Sequence, residues 1–232
     1  MIFYLIFLLS ALFFVESSTS LARKSGYSEG NAASGLILQS SLGLVSRALI
    51  FMFMPLIGLA ADKGNLLESK SDILLSYSMI PMTLLILVVC REYVEWIYKA
   101  LILRMSVSGS YFRSSNTKKK FKKGKLNYLK KAKCFYKLYL LVIFAYIPYY
   151  VSWPFIIYLL DIFPERRGFI LGMSSVFNGI NTIVLTLIVD PKLAQLGRYK
   201  RIILSVYGDF ILLRLFASIF SFAFLMLIIA SV

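Results

Sequence analysis

The sequence predicts an all-α integral membrane protein of about six transmembrane helices, a single polytopic membrane domain over 1–232. Composition and apolar run length predict it. Of 232 residues, 59% are hydrophobic and 16% charged, and mean hydropathy is +0.77, whereas a soluble domain carries about 25% charged residues. A hydrocarbon core of about 30 Å takes around 20 helical residues to cross, and the chain offers six such stretches, at about 1–22, 33–60, 73–97, 135–160, 169–189 and 203–231. A large multidomain enzyme is thereby excluded.

The first stretch begins without a basic segment and reaches Val15-Glu16-Ser17-Ser18 without a small-x-small cleavage site, so it reads as a retained span. Lys24-Ser25-Gly26-Tyr27-Ser28-Glu29-Gly30 breaks it from the second, a Gly/Ser-rich helix closing at Leu59-Ala60-Ala61-Asp62-Lys63. The third ends near Glu92 and Glu95, with Glu95 and Lys99 at the i,i+4 spacing of an ordinary helix ion pair. A basic loop at 104–137 then separates helices three and four, with ten lysines from Lys118 to Lys137 and no acid among them. Helix four carries Pro148 and Pro154, as helices two and three carry Pro55 and Pro81, and each proline is a candidate kink. Phe163-Pro164-Glu165-Arg166-Arg167-Gly168 breaks helix four from helix five, which closes at Val189-Asp190-Pro191-Lys192. The breaks before helices two and five match in plan, and three spans per half would make two inverted three-helix repeats, an arrangement that places a substrate site at the repeat interface.

The net charge of +15 suits either nucleic acid or membrane topology, and the placement of the charges decides. Twenty of the 26 Lys and Arg fall in loops one, three and five, against four in loops two and four. This asymmetry marks the odd loops as cytoplasmic and both termini as outside. The tract Lys118-Lys119-Lys120-Phe121-Lys122-Lys123 reads as a topogenic segment beside anionic phospholipid, and no nucleic-acid partner is expected. Histidine is absent and Cys90 and Cys134 lie far apart, which leaves no metal cluster, no cofactor motif and no catalytic residue to name. No Walker A pattern occurs, so the chain does not itself consume ATP.

Charges inside spans carry the functional signal, because a lone ion near the bilayer centre costs about 2.5–3.5 kcal/mol. Glu16, Arg47 and Arg214 stand out. Arg47 shares a helix face with Ala32, Gly35, Gln39, Gly43 and Ser46; helix five repeats the device with Gly172, Ser175, Gly179, Thr182 and Thr186, beside Asn178 and Asn181. Small residues at this spacing serve either close helix packing or a polar cavity. Two arginines against one deep carboxylate leave a cation over, which favours a cavity that accepts an anionic headgroup, with Glu16 as a charge partner or a coupling carboxylate.

The stretch from Glu16 to Asp62, with Leu21-Ala22-Arg23 and Leu44-Val45-Ser46-Arg47, resembles the start of the Amj family of lipid II flippases, the alternate, MurJ-independent type. Pro164-Glu165-Arg166-Arg167, Ser174-Ser175-Val176-Phe177-Asn178-Gly179-Ile180 and Ile188-Val189-Asp190-Pro191 fit the same family, so Arg23, Asp190 and Pro191 are its motif positions here. These stretches cover under half of the chain; the lysine-rich loop and helix six carry no family motif.

The resemblance implies movement of an undecaprenyl-diphosphate-linked precursor from the inner to the outer leaflet of a bacterial cytoplasmic membrane, for cell wall synthesis. On that reading Arg47 and Arg214 would pair with the diphosphate. Gln39, Ser46, Asn178 and Asn181 would replace water around sugar and phosphate oxygens, and Gly43 and Gly179 would let helices slide. An O-antigen or capsule unit on the same carrier requires the same phosphate chemistry, and a non-transporting membrane scaffold needs only the stripes and the basic loop. A polyprenyl diphosphate phosphatase is disfavoured, since clustered acids and histidine are lacking. Six helices make a small cavity for so large a headgroup, and a homodimer is one way to enlarge it.

Overall fold

The computed structural model describes residues 2–62, 70–111 and 132–231. The helices are α1 (Ile2–Glu29), α2 (Ala32–Asp62), α3 (Lys70–Ser108), α4 (Ala132–Ile162), α5 (Arg167–Val184), α6 (Asp190–Leu196) and α7 (Lys200–Ser231). A 3₁₀ turn at Pro164–Arg166 leads into α5, and a π-helical turn at Leu185–Val189 joins α5 to α6, so these form one span. Among the described residues six helices are long and apolar enough to cross a membrane, and the protein is a multi-pass membrane protein.

Several expectations are corrected. The break after the first span is shorter than the sequence suggests: Lys24 to Glu29 are helical and only Gly30 and Asn31 interrupt the chain. Gly30 takes a positive φ of 77°, the left-handed conformation glycine adopts without penalty, and the Asn31 side chain caps α2 through the Ser34 N–H at 3.0 Å. This tight corner lays α2 against α1, with Gly26 and Gly35 so close that a Cβ added at Gly26 would stand 2.6 Å from the Gly35 Cα. The fifth span does not close at Lys192 but continues to Leu196. Within α4 a departure from helical φ/ψ occurs at Phe135 (φ −117°, ψ 22°). The basic loop is shorter than 104–137, since α3 runs through Ser108 and α4 begins at Ala132; residues 112–131, with most of its lysines, lie outside the described residues.

Helix α1 is the hub, packing on α2, α3 and α7, while α4 packs on α7 and α5. The polar run after Val15 makes this possible. Ser18 Oγ and Tyr98 OH of α3 share a hydrogen bond at 2.5 Å, and Ser17 Oγ and Tyr150 OH of α4 share one at 3.4 Å. Serine is small enough for close helix approach, and each hydroxyl finds a partner that lipid cannot supply. The main core gathers Phe13, Phe53, Tyr77, Tyr146, Tyr150 and Trp153 from α1 to α4. Helices α2 and α5 are peripheral and make at most a marginal contact with one another. Their outer faces, with Leu44 and Phe51 on α2 and Phe169 and Leu187 on α5, are exposed, as suits a lipid-facing surface.

Candidate functional site: a polar cavity between α2 and α5

Because α2 and α5 stand apart, a cavity of about 500 Å³ opens between them. Glu16, Thr19, Ser20 and Arg23 of α1 line it, as do Gln39, Gly43, Ser46 and Arg47 of α2. Tyr146 and Tyr149 come from α4, Asn178, Asn181, Thr182 and Asp190 from the fifth span, and Tyr207, Phe210 and Arg214 from α7. Of the residues expected in the site, Arg47, Arg214, Gln39, Ser46, Asn178, Asn181, Glu16, Gly43, Arg23 and Asp190 are therefore brought together; Gly179 and Pro191 are not among the lining residues.

The charges fall into three groups. Arg214 is buried, donating from Nη1 to the Glu16 carbonyl at 2.7 Å and from Nη2 to the Tyr146 hydroxyl. Its guanidinium carbon lies 4.3 Å from the Tyr146 ring centroid, a cation–π distance. The carboxylate of Glu16 accepts from Tyr149 OH instead. Glu16 and Arg214 thus meet through a backbone carbonyl, which modifies the expected side-chain pair. A guanidinium with two of its amino groups engaged in this way holds α1, α4 and α7 together.

At the α1–α2 corner, Arg23 joins four elements. Its Nε donates to Gln39 Oε1 of α2 and its Nη1 to Tyr207 OH of α7 at 3.0 Å, and the same nitrogen lies 3.7 Å from Asp190 Oδ1. Asp190 reaches this position because of the π turn. Pro191 has no N–H to return to the carbonyl four residues back, and the chain widens just before it, the Asp190 N–H bonding the Leu185 carbonyl. One residue added to a turn rotates everything beyond it by about 100°, and that rotation sets the direction of Asp190. At the far end Arg167 Nη1 pairs with Asp62 Oδ1, joining the start of α5 to the end of α2. The two peripheral helices are clasped at both ends and separate between.

Arg47 sits in that separation. It is exposed, lines the cavity, and has no hydrogen-bond or ion-pair partner among the described residues. Three lining arginines (Arg23, Arg47, Arg214) face two lining carboxylates (Glu16, Asp190), which leaves one positive charge uncompensated in the cavity. Opposite, Asn178 and Asn181 stand one helical turn apart, each with a buried Oδ1 that has no hydrogen-bond partner. Buried polar atoms are nearly always satisfied in folded proteins, and these two amide oxygens are placed to accept a hydrogen bond from a group that enters the cavity.

The glycine stripe is also corrected. A Cβ at Gly43 or Gly179 would meet nothing within 4 Å, so neither mediates close helix packing here; that role falls to Gly26 and Gly35. Sequence reasoning missed Tyr146 and Tyr149, whose hydroxyls organise the Glu16–Arg214 charges, and Asp209 of α7. Asp209 is buried and accepts from Tyr139 OH at 2.7 Å. An acid inside an apolar span was the available signal for Asp209; for the tyrosines there was none beyond the aromatic richness of helix four.

A family model described as Amj, Alternate to MurJ, matches residues 8–199. The match runs from α1 through α6 and ends before α7, which supplies Tyr207 and Arg214. No curated protein and no solved structure matches this chain.

Proposed function

The chain belongs to the Amj family, and on that premise we propose that it is a lipid II flippase, a transporter rather than an enzyme, working in a bacterial cytoplasmic membrane. The observation that carries this reading is Arg47, a cation without a partner among the described residues, in a polar cavity between two helices that barely touch. A polyprenyl carrier is an amphiphile whose tail is at home in the bilayer, so the protein need shelter only the diphosphate and sugars. A gap between α2 and α5 lets the headgroup enter sideways while the tail stays in lipid.

The excess of Lys and Arg in loop three and toward the helix ends that meet loops one and five favours an orientation with both termini outside. The Arg23 cluster then closes the cytoplasmic end of the cavity and Asp62–Arg167 the outer end. In the proposed cycle the inner clasp loosens to admit the diphosphate to Arg47, and the outer clasp parts to release it. Arginine suits the binding step because its planar fork pairs with phosphate oxygens in a bidentate manner. Gln39, which Arg23 engages, and Ser46 line the same cavity wall as further hydrogen-bonding groups. Arg214, already engaged by Glu16 and Tyr146, sets the cavity floor and adds positive potential.

The test is a bacterial host depleted of its known lipid II flippases and expressing this chain, scored for survival and for outer-leaflet lipid II by colicin M cleavage in intact cells. Survival with cleavage restored is expected. Lysis without cleavage, from protein shown to be in the membrane, would overturn lipid II as the cargo.

A further inference from the structure

The groups that could recognise a headgroup are divided between the two walls of the cavity, α2 and α5.

Arg47 on α2 offers the diphosphate a charge that has no partner among the described residues. Asn178 and Asn181 on α5 offer two amides, each with an orphaned oxygen, and Asn181 is 4% exposed. A carboxamide both donates and accepts, which matches the hydroxyl and acetamido groups of a sugar better than it matches phosphate oxygens, which only accept.

We propose that recognition ends at the first sugar: Arg47 reads the diphosphate, Asn178 and Asn181 read the N-acetylhexosamine attached to it, and the distal glycan and peptide are not read. This rests on the lipid-carrier reading above and narrows it. The substrate class becomes the shared stem, polyprenyl diphosphate with its proximal N-acetylhexosamine, whatever is built on it. Residues that hydrogen-bond a substrate group discriminate strongly against ligands lacking it, so the two asparagines are the specificity determinants.

The experiment measures binding of the full chain in lipid nanodiscs to a ligand series. The series runs from polyprenyl diphosphate through its N-acetylhexosamine and disaccharide derivatives to the disaccharide-pentapeptide. Affinity is expected to rise about tenfold on adding the first sugar and to stay within about threefold thereafter. Asn181→Ala should erase the first-sugar gain while leaving the affinity for bare polyprenyl diphosphate unchanged. Asn178→Ala, at the less buried position, provides the same comparison where Asn181→Ala fails to fold. Arg47→Ala should weaken all four ligands alike.

A gain of tenfold or more on adding the second sugar or the peptide would overturn the proposal, as would equal affinity for the bare and singly glycosylated diphosphates. Either result would leave the lipid-carrier function standing. Failure of all four ligands to bind would overturn both.

Discussion

Arg167 and Asp62 pair across the ends of two helices that scarcely touch elsewhere. Asp62 closes α2 and Arg167 opens α5, so the contact fixes the distance between the cavity's two polar walls at one end. Its exposure makes it weak. Side-chain accessibilities of 33% and 66% place it among surface pairs that contribute about 0–1 kcal/mol. A weak contact suits a gate, since a stronger one would trap a single state: a bias of about 1 kcal/mol shifts a two-state population roughly fivefold. Asp62→Arg is therefore expected to leave the folded protein at normal levels and lower transport several-fold, with recovery in the Asp62→Arg/Arg167→Asp double variant. Equal transport in the single and double variants would remove the gating role.

Arg23 is a different kind of clasp, because one guanidinium serves Gln39, Tyr207 and Asp190 at once. Lysine preserves the charge but not the fork. We expect Arg23→Lys to lose most transport and Asp190→Asn to lose less, since the amide still accepts a hydrogen bond. If Arg23→Lys transports at the wild-type rate, charge alone suffices and the branched contact is unimportant.

The two intramembrane arginines that look alike in the sequence should fail differently. Arg47 has no partner among the described residues, so Arg47→Ala is expected to change stability by less than about 0.5 kcal/mol while abolishing transport. Arg214 is buried against a carbonyl and a phenol. Its removal strands those groups and the Glu16 carboxylate nearby, at a cost of about 3 kcal/mol or more. Thermal unfolding in detergent separates the cases: a large loss for Arg214→Ala and none for Arg47→Ala. A large loss for both would make Arg47 structural.

The glycines divide in the same manner. Gly26→Ala or Gly35→Ala forces a Cβ to within 3 Å of the facing helix backbone, and overpacking of this kind costs about 1–3 kcal/mol. Gly43→Ala and Gly179→Ala meet open space and should retain wild-type stability. Unfolding midpoints of the four variants check this, and an unstable Gly43→Ala protein would return that position to helix packing.

The sequence by itself determined the six spans, because apolar length is a local property and the bilayer imposes it on every helix separately. It also picked out Arg47, Gln39, Asn178 and Asn181, since a charge or an amide in an apolar run is costly wherever the helix ends up. Helix ends were legible only to within several residues: Lys24 to Glu29 read as a break yet are helical, because polar residues near a span's end do not disfavour helix once neighbouring helices supply partners. Lys24 illustrates this, with Glu95 of α3 at 2.8 Å.

Only the tertiary structure decided which polar groups are committed and which are free. Arg47 and Arg214 are each a lone arginine in an apolar run, and no window of sequence tells which of them has a partner. They are distinguished by α4, which brings Tyr146 and Tyr149 to the Glu16–Arg214 level and, among its described residues, no partner to Arg47. The same holds for Arg23 and Asp190, placed together by a corner at Gly30 and a π turn before Pro191. Pairing between helices depends on their relative rotation and depth, and those are set by packing over the whole bundle rather than by any one span.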